Sequence, residues 1–72
     1  MKTVLTLKCE IKSLIKDLAV NGMNLRRCAR MGNSIEVERL LCCRTEILKS
    51  VVHRQGLIIE ALENEAEYKE AA

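Results

Sequence analysis

The stretch VLTLKCEIKSLIKDL, residues 4–18, places apolar side chains at Val4, Leu7, Ile11, Leu14, Ile15 and Leu18. Steps of three and four residues put all six on one face of an α-helix, while Lys8, Lys12, Lys16 and Asp17 fall off it. The spacing predicts a helix over 3–20. Asn21-Gly22 follows, and glycine readily takes the left-handed conformation that closes a helix. A break is expected there, with Asn24 capping a short second helix over 25–31 that buries Leu25, Cys28 and Ala29. A single bent helix from 3 to 31 is the competing reading.

Gly32-Asn33-Ser34 marks a second break with better start chemistry. Asn33 stands three residues before Glu36, the capping-box arrangement in which each side chain can satisfy an orphan N–H. Glu36 and Glu38 suit the positive end of the helix dipole. Beyond them Val37, Leu40, Leu41, Ile47, Leu48, Val51, Ile58, Ile59, Leu62 and Ala66 share one broad face. This predicts a long helix over 34–68, with Gly56 as the point where it could bend.

Folding the chain back at Gly32-Asn33 sets Leu18 opposite Leu48, Leu14 and Ile15 opposite Val51, Ile11 near Gln55, Leu7 near Ile58 and Val4 near Leu62. Two apolar stripes that match level by level define an antiparallel helical hairpin. The expected fold class is therefore all-α, a hairpin with a short broken middle helix, in a single domain over 1–72.

One seam cannot cover the long helix's stripe. A second copy would, so a homodimer of four-helix-bundle type is expected. Its core would draw on Leu7, Ile11, Leu14, Leu18, Leu41, Leu48, Val51, Ile58 and Leu62. Arg44 and Gln55 interrupt the stripe with polar groups. They either fix register at some cost in stability or line a groove for a partner. At the level of architecture alone, such a dimer is similar to the four-helix plasmid copy-number regulators, and fold does not settle function.

The chain has 72 residues, 49% hydrophobic and 31% charged, with Tyr68 its one aromatic residue and no proline. A core of this size supplies about 3–5 kcal/mol and usually needs a staple or a second subunit. A chain this short rarely encloses a substrate, and the sequence carries no glycine-rich phosphate loop, nucleophile elbow or H-E-x-x-H. An enzyme is not expected, nor a small-molecule substrate or cofactor. No apolar run approaches about 18 residues, so no membrane span is expected. The start, Met1 to Lys8, superficially resembles a signal peptide, but Lys8, Glu10 and Lys12 interrupt it and no small-residue cleavage site follows. The reading is a cytoplasmic protein.

The four cysteines, Cys9, Cys28, Cys42 and Cys43, include no C-x-x-C pair. The sole histidine, His53, would lie about 16 Å along a helix from Cys42, too far to share an ion. They are expected to be reduced thiols packing as small hydrophobes.

Charge is unevenly spread. Residues 1–54 hold eleven Lys and Arg against five Asp and Glu, whereas residues 55–72 hold one Lys against five Glu. Arg26, Arg27 and Arg30, with Arg39 further on, form a basic cluster suited to contact with a partner. The function expected is a non-enzymatic module binding another protein as adaptor, inhibitor or regulator, of the kind frequent among phage, plasmid and bacterial accessory proteins. The alternative is a nucleic-acid-binding regulator that uses a degenerate helix-turn-helix-like segment over 14–41. Against it stand Glu36 and Glu38, which would face phosphate, and Glu38 at a position that such a motif buries.

Overall fold

The computed structural model describes the backbone of residues 2–71 and the side chains of residues 2–66. Two helices account for nearly all of it: α1, Val4–Arg30, and α2, Ser34–Ala71. They pack against each other as an antiparallel hairpin measuring 61 × 16 × 16 Å, a rod one helix pair thick.

Local chemistry fixes both ends of α1. Thr3 caps α1, its hydroxyl accepting from the Thr6 N–H at 3.1 Å. At the other end Gly32 sits at φ 70°, in the left-handed region. There the Gly32 N–H donates to Ala29 O at 3.1 Å and the Asn33 N–H to Cys28 O at 3.0 Å. This pair of reversed bonds satisfies carbonyls that the last turn would leave orphaned. Asn33 then starts α2: its Oδ1 accepts from the Glu36 N–H at 3.2 Å. The capping box is half formed. The Asn33 N–H is already used by Cys28, so the Glu36 carboxylate turns instead to Arg39, whose Nε donates to it at 3.0 Å.

One expectation is corrected here. No break occurs at Asn21-Gly22, so the short helix over 25–31 is the last turns of α1. Segment 14–41 therefore consists of parts of two helices joined by one turn at Gly32. The reason is tertiary. Asn21 is 6% exposed and its Nδ2 donates to Leu40 O at 3.0 Å, so the position that looked like a helix stop is held in the interhelical seam. A glycine inside a helix costs about 1 kcal/mol relative to alanine, which packing on both sides offsets. Gly56 likewise lies inside the unbroken α2.

The seam follows a strict alternation of three and four residues. On α1 it comprises Val4, Leu7, Ile11, Leu14, Leu18, Asn21, Leu25 and Cys28, all buried or half-buried. On α2 it comprises Val37, Leu40, Arg44, Ile47, Val51, Arg54, Ile58 and Ala61, also buried or half-buried. Asn21 faces Arg44. Stepping away from that pair in opposite directions sets Leu14 opposite Val51 and Leu7 opposite Ile58, as the sequence pattern predicts. The same stepping sets Leu18 opposite Ile47 rather than Leu48, Ile11 opposite Arg54 rather than Gln55, and Val4 opposite Ala61 rather than Leu62. A seven-residue repeat is the signature of two helices that supercoil to keep one narrow seam in contact.

The glycines give a clean pair of stability tests. Gly56 has open space where a Cβ would stand, so Gly56→Ala should stabilise by about 0.5–1 kcal/mol. Gly32→Ala should destabilise by about 1–2 kcal/mol because of its left-handed backbone. Thermal melts followed by circular dichroism at one chain concentration should move in opposite directions, by several degrees each.

Candidate interaction surface

Two polar levels interrupt the apolar seam. At the first, the Arg44 guanidinium reaches Leu18 O at 3.4 Å and Asn21 Oδ1 at 3.5 Å, while Asn21 Nδ2 holds Leu40 O. Arg44 therefore faces α1, and both of its contacts are long. At the second, Arg54 Nε donates to Glu10 Oε1 at 3.3 Å and Nη1 to Ser50 O at 3.2 Å. Lys2 Nζ meets Glu10 Oε2 at 2.7 Å, so two cations share one carboxylate near the open end of the hairpin. The hydrogen bond from Lys2, with the charges of Lys2 and Arg54, holds the Glu10 carboxyl below the ordinary carboxylate range, outweighing desolvation. The bond from Arg39 does the same for Glu36.

The broad stripe of α2 splits in two. Half of it is the seam. The rest, Leu41, Leu48 and Leu62 with Val52 and Ile59, lies exposed on one flank of the rod. The seam's repeat places Ile15 of α1 on the same flank, 53% exposed. Gln55, expected beside Arg44 in the stripe, is exposed on this flank as well, at the seven-residue interval that links Leu48 to Leu62. The opposite flank is polar: Glu10, Asp17 and Asn24 from α1, and Glu36, Ser50 and Asn64 from α2, with Leu57 and Cys43 interspersed.

Of the residues expected in a dimer or bundle core, Leu7 and Val51 are buried and Ile11, Leu14, Leu18 and Ile58 half-buried within one hairpin. Leu41, Leu48 and Leu62 lie outside the seam and stay about half exposed. Sequence reading missed Asn21, Arg54 and Glu10 as seam or seam-flanking groups. The strict three-four alternation running through Asn21 and Arg54 was the available signal.

Arg26, Arg27 and Arg30 are exposed at the turn end and form no ion pair among the described residues, whereas Arg39 is paired with Glu36. All four thiols are free. Only Cys28 sits in the seam, and Cys9, Cys42 and Cys43 are exposed, so packing accounts for one of the four. Among the described residues no group of His, Cys, Asp and Glu is arranged to hold a metal ion. Among the described residues no helix is long and apolar enough to cross a membrane. The surface hollows are shallow. One of about 330 Å³ borders the turn at Ala29, Asn33 and Val37, and one of about 170 Å³ lies between Leu7, Leu57 and Ala61.

No protein-family model matches the chain, and the searches of curated proteins and of solved structures found no match to it.

Two measurements probe the polar levels. Asn21→Leu, Arg44→Leu and the double variant form a thermodynamic cycle. The side chains touch, so a coupling of about 0.5–3 kcal/mol is expected, with the double variant at least as stable as the worse single one. Additive effects would show that the pair does not interact. Glu10 gives a pH test. Its folded pKa is depressed, so its stabilisation is present above the ordinary value of 4.5 and is lost as pH falls through the folded value. The gap in melting temperature between the native chain and Glu10→Gln should therefore be open at neutral pH and close on acidification.

Proposed function

We propose that the chain is a non-enzymatic interaction module that works as a homodimer of hairpins and binds another protein as adaptor, inhibitor or regulator. The observation that carries this reading is the apolar flank of Ile15, Leu41, Leu48, Val52, Ile59 and Leu62, left uncovered by the chain's own fold. The hairpin as a whole exposes more surface than a compact chain of its mass. A compact monomer of 8.2 kDa would expose about 4,500 Å², and this chain exposes 5930 Å². The excess, about 1,400 Å², exceeds the roughly 800 Å² that each partner buries in a standard interface. Joining two such flanks makes a four-helix bundle, the arrangement in which hairpins of this type bury their remaining stripe. The polar flanks stay outward, available to a further partner.

Contact with nucleic acid is the second reading, favoured by the unpaired Arg26, Arg27 and Arg30 at one tip. It needs no helix-turn-helix geometry, only phosphate contacts, whose affinity falls steeply with salt.

Sedimentation equilibrium of the native chain should return twice 8.2 kDa at micromolar concentration. Leu48→Asp with Val52→Asp should shift it to the monomer. A native chain that sediments as a folded monomer contradicts the proposal. Gel shifts at about 50 and about 200 mM salt separate the second reading. A shift that fades with salt and is lost in Arg26→Glu/Arg27→Glu would move the assignment to nucleic acid.

A further inference from the structure

The hairpin's two ends differ in sign and in support. The turn end, residues 26–39, holds Arg26, Arg27, Arg30 and Arg39 against Glu36 and Glu38. At the open end the seam finishes where Val4 meets Ala61, yet α2 continues to Ala71. About 15 Å of α2 thus extends past the start of α1 with no neighbouring helix. This overhang and the turn before it hold Glu60, Glu63, Glu65, Glu67 and Glu70 against Lys69 alone. A single helical segment of that length is marginal in water without something beside it.

Resting on the dimer reading, we infer that the second copy docks on the Leu41–Leu62 flank with its rod running the opposite way, so that the basic turn of each chain lies beside the acidic overhang of the other. Geometry and charge agree on this. On this flank the exposed apolar residues of α2 run from Leu41 to Leu62 and are centred near Val52, with Ile35 and Leu57 exposed elsewhere on the helix. A two-fold axis there maps Leu41 onto the partner's Leu62 and Leu48 onto the partner's Gln55. It also carries the partner's turn to the level of residues 63–70, filling the space beside the overhang. A parallel pair would instead set four arginines against four at one end and two acidic overhangs together at the other. Like charges at that range repel strongly at low salt.

Charge reversal tests the orientation in the unmodified cysteine background. Arg26→Glu/Arg27→Glu should weaken dimerisation at least tenfold at low salt. Adding Glu60→Lys/Glu63→Lys in the same chain should restore it, with the effect fading at high salt. In a parallel dimer the first pair would relieve the repulsion between turn ends, so affinity would hold or rise and the second pair would have no loss to rescue, and either result overturns the inference. A spin label at Met31→Cys, with the native cysteines replaced, gives an independent reading. Two turn ends about 50 Å apart support the opposed arrangement, whereas about 20 Å refutes it. A chain that sediments as a monomer fails the dimer reading itself, and a dimer with the short distance fails only the orientation.

Discussion

One narrow contact, the line along which α1 meets α2, determines everything else in this molecule. A helix pair has only the width of one such line to bury, and here alternate steps of three and four residues use it along the full length of α1. Among the described residues none is completely buried; Leu7, at 3% exposed, comes nearest. The fold is therefore a zipper with little depth, and its uniqueness depends on register more than on core volume.

The two polar levels fit that need. An Asn or Arg inside an apolar line costs stability, and a slipped alignment would strand it without partners. Asn21 with Arg44, and Glu10 with Arg54 and Lys2, lie at separate heights along the rod. Only one alignment satisfies both. The turn adds a third constraint, since Gly32 and Asn33 close one helix and open the next within three residues.

Much of this was legible in the residues. The stripe of Val4 to Leu18, the turn at Gly32-Asn33 and the antiparallel match to Val51 and Ile58 are periodicity read directly. The false break at Asn21-Gly22 arose because helix-stop chemistry is local, whereas Asn21 is held by a carbonyl nineteen residues away. The one-residue offset at Ile47, Arg54 and Ala61 arose from treating the broad stripe of α2 as a single surface. It is two: a seven-residue line facing α1, and a second line carrying Leu41, Leu48 and Leu62 with Gln55 among them. Arg54 escaped notice because a charged residue at a seam position reads as a surface residue until its acid partner, Glu10, is placed beside it.

The account's central claim is that one hairpin leaves too much apolar surface in water to stand alone, so folding and self-association are linked. Binding to the folded state alone raises apparent stability by mass action, which makes the melting temperature depend on chain concentration. Thermal unfolding of the native chain across a hundredfold range of concentration tests this most directly. The account predicts a melting temperature that climbs steadily with concentration. A midpoint that stays fixed over the whole range would contradict it.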